Sequence, residues 1–272
     1  MNCDWKYENF GLVSNCEPHE SPNIDFKLDN KRSLYYLWTE NFDCNIETSW
    51  WYVIKDDIFD LNTLKAKRRY EINKGLKNFD VKVINPIEHL AEINEIRDAL
   101  FSQYPDEYRT KNNPEQQKKF YSSRCDQEWL SIGAFKGNQL CGFLDVKIGE
   151  RCLNFVRMCV SPKFEKENVN FALVYNMLEN CKKYIEQGYY LCDGSRTIRH
   201  KTNFQDWLIK YFKFRKAYCI LRIKPSIGFR LIINVLTPFN SILEKSHNPF
   251  LYKISTFLKI YKISKECEMK LQ

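Results

Sequence analysis

Two side chains near residue 200 have the types that acid–base chemistry needs. Asp193 follows an apolar, strand-like run and precedes Gly194, so its carboxylate could take a proton from an attacking amine. His200 lies between Arg199 and Lys201, and these positive charges favour the neutral imidazole that a base requires. The alternatives are a turn-forming Asp-Gly pair and a solvent-exposed loop histidine. We therefore take Asp193 and His200 as candidate catalytic bases.

Arginines in the same stretch could recognise an anionic acceptor. Arg196 and Arg199 carry guanidinium forks that suit a phosphate or a carboxylate, which makes them candidate substrate-binding residues. Asp145, inside an apolar run, is a third candidate base. The chain has no Ser-His-Asp or Cys-His signature of a covalent nucleophile. The sequence therefore suits a reaction that requires no covalent nucleophile.

The eleven cysteines and four histidines do not form a metal-binding pattern. No two cysteines are spaced as C-x-x-C, and none lies close to a histidine at zinc-ligand spacing. Several cysteines lie inside apolar runs, where a free thiol behaves as a small hydrophobe. We predict no metal site and interpret the cysteines as reduced, structural thiols.

Two segments carry most of the excess positive charge in a chain whose net charge is +8. Residues 65–78 hold six basic residues against one acidic residue, and residues 194–224 hold nine against one. Together they could form one electropositive face for phosphates, nucleic acid or an anionic membrane. The alternative is two solvated helix faces.

Hydrophobic periodicity predicts the element order β-α-α-β-β-β-α-β-α-β from residue 79 to residue 224. The predicted strands are 79–85, 129–135, 141–148, 153–160, 189–192 and 216–223. The predicted helices are 86–101, 114–124, 168–186 and one that opens with a capping box at residue 202. This order favours a mixed α/β (α+β) sheet with antiparallel N-terminal strands, a parallel central pair and flanking helices.

The flanking segments complete the predicted domain organisation. Residues 1–78 are predicted to form an N-terminal extension with an aromatic hairpin at 34–39 and 50–54 and a basic helix at 61–77. Residues 79–224 form the central domain. Residues 225–272 form an apolar and basic tail whose helices either pack on the domain or contact a membrane surface.

The stretch VSPKFEKENVNFAL, which begins at Val160, resembles the strand–loop–helix of the GNAT acyltransferase family. The family pattern is V-x-P-x-Y-R-G-x-G-I-G-x-A-L. The resemblance implies a GNAT-like fold in which the amides of the loop and the helix dipole hold the pyrophosphate of acetyl-CoA or another acyl-CoA. The implied cofactor-binding residues are Met158, Cys159, Val160, Phe164, Asn168, Val169, Asn170 and Asn203.

The sequence departs from the family pattern at informative positions. Asparagines 168 and 170 replace glycines, and asparagine is the residue after glycine that best tolerates left-handed backbone. Glu165 replaces an Arg or Gln. In the later segment, which resembles N-x-x-A-x-x-F-Y-x-x-x-G-F, Ile209 stands at the tyrosine that often protonates the leaving thiolate, and Lys213 replaces the glycine.

A second resemblance is to FemAB-like proteins, which have the GNAT fold and transfer amino acids from tRNA to lipid-linked cell-wall precursors. It rests on KAKRRYEINKGLK from Lys65 followed by VKVI, on Leu191 to Gly194, and on the aromatic and basic stretch from Trp207 to Arg215. FemAB-like loops lack the glycine-rich cradle, as this chain does. The group normally has two lobes, whereas this chain has one lobe and a fragment.

Composition sets the outer limits of function. At 44% apolar and 28% charged residues, the 272-residue chain is ordinary globular protein with no visible secretory signal. We expect a bacterial cytoplasmic enzyme, at most at the inner face of the membrane. The expected activity is acyl transfer from acyl-CoA to an amine or hydroxyl, as on an amino sugar of a surface polysaccharide or the cell wall. The alternatives are FemAB-like transfer from aminoacyl-tRNA to a lipid-linked precursor and a non-catalytic GNAT-fold binding module.

Overall fold

The computed structural model describes residues 5–23, 33–104, 112–198, 203–246 and 248–270. The chain divides into two compact units. Unit 1 comprises Met1–Val53, Gly194–Gln205 and Arg215–Gln272, and unit 2 comprises Ile54–Asp193 and Asp206–Phe214. This division differs from the three predicted segments because the basic helix belongs to unit 2 and the tail shares unit 1 with the N-terminal strands.

The strands and helices follow in chain order. The strands are β1 (Trp5–Glu8), β2 (Gly11–Ser14), β3 (Tyr35–Glu40), β4 (Trp50–Lys55), β5 (Asp80–Val83), β6 (Trp129–Lys136), β7 (Gln139–Ile148), β8 (Cys152–Val160), β9 (Tyr190–Ser195) and β10 (Arg215–Pro225). The helices are α1 (Ala66–Asn78), α2 (Leu90–Phe101), α3 (Pro114–Ser122), α4 (Val169–Ile185), α5 (Phe204–Phe212), α6 (Ile227–Leu236), α7 (Asn240–Glu244) and α8 (Pro249–Met269).

Unit 2 contains the sheet order β9-β8-β7-β6-β5. Strands β5 to β8 pair antiparallel, and β8 and β9 pair parallel. Successive residues of β7 face opposite helices, because a Cβ at Gly142 would meet Leu173 of α4, whereas Phe143 belongs to the core cluster of α2. Helices therefore cover both faces of this sheet, and the predicted element order is confirmed.

Unit 1 contains the strand order β1-β2-β3-β10-β4. Strand β2 pairs parallel with β3, and β10 pairs antiparallel with β3 over Ile220–Pro225. The predicted aromatic hairpin of β3 and β4 is wrong, since β10 lies between these strands. Aromatic and β-branched runs indicate that a segment is a strand, but they do not select its partner.

The described part of the tail forms three helices, α6, α7 and α8. Helix α8 packs on β10, where Cys267, Ile260 and Ile263 join the cluster of Cys219 and Leu221. No helix of the described residues is both long and apolar enough to cross a bilayer. Strands β1 and β2 are absent from the prediction, because four-residue strands show no clear period.

Candidate functional site

An unpaired strand edge opens beside the end of β8. Strand β9 pairs with β8 only over Cys152–Asn154, although β8 continues to Val160. Towards β7 the register shifts between Asp145 and Val146, so that Val156 has no partner and forms a bulge. In the described part of the sheet, the later residues of β8 therefore have no partner in β9. This edge contains Met158, Cys159 and Val160, three of the cofactor-binding residues that the resemblance implies.

The loop after β8 ends in a left-handed residue. Asn168 has φ 67° and ψ 32° and precedes the first turn of α4. The asparagine at the family's glycine position thus keeps the backbone conformation that glycine would take. Val169 is fully buried, and the buried Oδ1 of Asn170 has no hydrogen-bond partner in the described structure. Phe164, on the short 3₁₀ helix Pro162–Glu167, lies edge-on to Phe79.

Side chains of helix α1 donate hydrogen bonds to the carbonyl groups of this loop. Asn78 Nδ2 donates to Glu167 O at 3.1 Å, and Lys74 Nζ donates to Lys166 O at 3.5 Å. A Cβ at Gly75 would lie 2.4 Å from Asn168 O. The helix and the loop therefore touch at backbone distance, which a helix-interior glycine permits.

The loop carbonyls that face α1 belong to peptides whose N–H groups point away from α1. A trans peptide points its C=O and N–H in opposite directions, so the amides paired with these carbonyls face away from α1. They are the N–H groups of Glu167, Asn168 and Val169; that of Asn168 donates to Glu165 O. Amides at the N-terminus of a 17-residue helix attract an anion. Because the Asn168 amide is paired within the loop and Val169 is fully buried, a phosphate here would need the loop to adjust and Glu165 to turn its carboxylate away.

Within unit 2, helix α1 of the first basic segment contacts α5, a part of the second. The Arg68 guanidinium of α1 donates to Lys210 O of α5 and lies 5.5 Å from the ring centre of Tyr211. Tyr211 also contacts Phe171 in the first turn of α4, with ring centres 5.0 Å apart. Besides Tyr70, Asn73 and Asp206, the exposed residues of α1, α5 and their ends include six lysines: Lys65, Lys67, Lys74, Lys77, Lys210 and Lys213. We call this set the α1/α5 basic face.

A second family glycine position also keeps left-handed backbone. Lys213, which follows α5, has φ 60°. At the general-acid position stands Ile209, which is half-buried and cannot donate a proton. The loop shape of the family thus persists here without its chemistry.

Three other predicted site residues are described: Asp193 in β9, Arg196 just after it, and Asn203 before α5. Asp193 is half-buried and lies within β9, which continues three residues beyond the predicted strand end. Arg196 Nη1 donates to Ser49 O at 2.5 Å, and its guanidinium lies 4.4 Å from the ring centre of Trp51. Asn203 is exposed just before α5. His200 and Arg199 lie outside the described residues.

Asp145 is held by charged and hydroxyl donors and is not an accessible base. Its carboxylate is fully buried and accepts from Arg124 Nη1 at 2.9 Å and from Arg157 Nε at 2.7 Å. Ser131 Oγ donates at 2.5 Å and Tyr121 Oη at 3.1 Å. Burial and this carboxylate raise the pKa of Tyr121, so its phenol stays protonated. Sequence reasoning missed this network, whose members come from four elements.

The thiols offer no nucleophile or metal cluster at this site. Burial raises the pKa of Cys159, which faces the core of α2 and the sheet, so the thiol stays protonated. In the described ranges nine cysteines are free, whereas Cys16 is disulfide-bonded, against the expectation of reduced thiols throughout. No group of three or more Cys, His, Asp or Glu side chains that could hold a metal occurs among the described residues.

No protein-family model matches the chain, and no curated protein matches its sequence. Solved structures do match. The C-terminal domain of a putative lysylphosphatidylglycerol synthetase from Agrobacterium fabrum has a TM-score of 0.54 at 11% identity, over 85% of this chain and 84% of that chain. The structure of L-PGS from Bacillus licheniformis has a TM-score of 0.50 at 15% identity, over 84% and 82%.

A third match is the PaiA N-acetyltransferase of Thermoplasma acidophilum in complex with coenzyme A. It has 22% identity and a TM-score of 0.33, and it covers 38% of this chain and 73% of that chain. The fold is GNAT-like. The predicted resemblance to GNAT-fold proteins with FemAB-like features is confirmed at the level of the fold by the element order and the two longer matches.

Proposed function

We propose that this chain is an acyltransferase that takes its acyl group from aminoacyl-tRNA and passes it to an amine or hydroxyl of a lipid or lipid-linked acceptor. The observation that carries the proposal is the contact of Arg68 with Lys210 and Tyr211, which brings the first basic segment against Lys210 and Lys213 of the second in the α1/α5 basic face. A polyanion as large as tRNA needs such a face, whereas a single pyrophosphate does not. The names of the two longer structural matches, lysylphosphatidylglycerol synthetases, support a lipid acceptor.

The proposed reaction needs no covalent enzyme intermediate. The acceptor oxygen or nitrogen attacks the aminoacyl carbonyl and forms the new ester or amide, while the bond to the terminal ribose oxygen of the tRNA breaks. The proton lost by the acceptor ends on that ribose oxygen. We assign the proton transfer to Asp193, with His200 as the alternative, and binding of an anionic acceptor group to Arg196 and Arg199. The loop before α4 would hold a phosphate of the donor end.

The experiment measures binding of purified bulk tRNA by fluorescence anisotropy at several salt concentrations. In the double variant Lys67→Gln and Lys210→Gln, two phosphate contacts are lost, so we expect the slope of log K against log salt to become shallower by about 1.5. The matched control is Lys182→Gln with Lys183→Gln, two exposed lysines near the other end of α4. Transfer is followed as labelled amino acid moving from aminoacyl-tRNA into extracted lipid. An equal loss of binding in both variants contradicts the proposal.

The second candidate donor is acyl-CoA, with an amino sugar or similar amine as acceptor. The left-handed Asn168, the outward loop amides and the unpaired edge of β8 favour it, because they match what a pyrophosphate and a pantetheine arm require. Calorimetric titration with acetyl-CoA separates the two donors. Micromolar binding that is lost in Asn168→Asp, together with no binding of tRNA, would establish the second candidate. Binding of tRNA without transfer would leave the non-catalytic module.

A further inference from the structure

Helix α6 in unit 1 has apolar residues on its exposed side as well as on its buried side. Its sequence, IGFRLIINVL, contains one charged residue, Arg230. One side packs on the protein, where Ile233 is buried and Phe229 stacks on Tyr35 with ring centres 6.2 Å apart. A surface helix normally carries polar residues opposite its buried stripe. In α6, the polar residues Arg230 and Asn234 form only a narrow strip of the exposed side, and apolar residues fill the rest of it.

The outer side of α6 forms an exposed apolar stripe. Ile227, Leu231 and Val235 follow at i, i+4 and i+8, so their side chains align along one face, and they are 83%, 65% and 66% exposed. The stripe continues in Phe239 and Ile242 at the next turn and α7, with exposures of 53% and 68%. Exposed apolar surface of this extent marks a site of contact with another protein or with a membrane.

The charged residues near the stripe indicate which partner covers it. Arg230 is the single charged residue of positions 226–243 and is exposed, and the exposed Lys224 and Lys245 flank that segment. The adjacent Glu244 is paired with Lys259. A second copy would bring the same positive face against this one, which is unfavourable in a two-fold contact. An anionic lipid surface offers the complement, since headgroups neutralise the basic side chains while apolar side chains enter the acyl boundary. At ten residues and about 15 Å, α6 is too short to span a bilayer and suits the interface plane.

We propose that the α6 stripe (Ile227, Leu231, Val235, Phe239 and Ile242) docks the protein on an anionic membrane surface, with α6 lying in the interface. The stripe presents the side chains that insert, and Arg230 contacts the headgroups. Because the stripe lies wholly in unit 1, vesicle binding tests it independently of the transfer reaction.

The test is co-sedimentation of the full chain with vesicles of phosphatidylcholine alone and with about one third phosphatidylglycerol. We expect binding to the anionic vesicles and its loss by about tenfold or more in Leu231→Gln with Val235→Gln, because binding scales with the apolar area inserted. Arg230→Gln should weaken binding to the anionic vesicles and leave the weak binding to neutral vesicles unchanged.

The matched control is Val83→Gln with Ile87→Gln, two exposed apolar residues of unit 2, which should leave binding unchanged. Sedimentation velocity without lipid completes the design. Binding that survives in the Leu231 and Val235 variant overturns the proposal. So does a wild type that ignores anionic vesicles, whether monomeric or self-associated through this stripe.

Discussion

At the scale of single residues, the carboxylate of Asp145 is a fully buried charge that depends on its arginine partners. Arg124 and Arg157 both reach it, and their side chains are only 5% and 16% exposed. Two guanidinium groups and one carboxylate leave one net positive charge in the interior. Such a network holds its members in place, because removal of the carboxylate leaves buried cations without a partner. Asp145 is therefore a structural residue, whatever the reaction.

Asp145→Asn should lower the free energy of unfolding by about 3–5 kcal/mol, the loss typical when one partner of a buried ion pair is removed. The control is Asp43→Asn. Asp43 accepts from both Nη atoms of Arg215 at 2.6 and 2.7 Å, but the pair is about 40% exposed. An exposed pair contributes about 0–1 kcal/mol. Urea unfolding measures the free energy of unfolding of both variants. Equal decreases in the two would show that the buried network stabilises the protein no more than the surface pair.

At the scale of elements, the contact of α1 with the start of α4 determines the shape of the candidate site. Asn168 supports it from the other side, since its Nδ2 donates to Glu71 O at 3.0 Å. Gly75 lets the two backbones approach. A helix-interior glycine is the sequence signal for such a contact, but it does not say which element approaches.

Gly75→Ala should destabilise the protein, although alanine is the better helix former. The new Cβ would meet Asn168 O at 2.4 Å and Ala172 N at 3.2 Å, both backbone atoms that cannot rotate away. Overpacking of this kind costs about 1–3 kcal/mol, against a gain in helix propensity of about 1 kcal/mol. Gly228→Ala in α6 has open space around the new Cβ and should show the propensity gain alone. Chemical denaturation gives the free energy of unfolding of both variants. If both substitutions raise it, the close contact at Gly75 is contradicted.

At the scale of the whole molecule, the sequence predicts the order of elements from residue 79 onward, because hydrophobic periodicity reports burial element by element. It does not predict which distant strands pair. Strand β10 lies between β3 and β4, and the tail belongs with the N-terminal strands, since these pairings depend on packing between residues more than 150 positions apart. The loop before α4 was predictable from its motif. The contact of Arg68 with α5 and the network at Asp145 were not, because each joins residues whose spacing carries no period.

The two proposed surfaces lie in different units, so substitutions in one should not change binding at the other. The α1/α5 basic face belongs to unit 2 and the α6 stripe to unit 1, and they share no residue. Lys67→Gln with Lys210→Gln should weaken tRNA binding and leave vesicle binding unchanged, and Leu231→Gln with Val235→Gln should do the reverse. In the fourfold variant, the two binding free energies should each match the corresponding double variant within about 0.5 kcal/mol, as expected for sites without shared partners. Anisotropy and co-sedimentation on the same preparations give both values. A larger coupling would mean that one surface contributes to both partners.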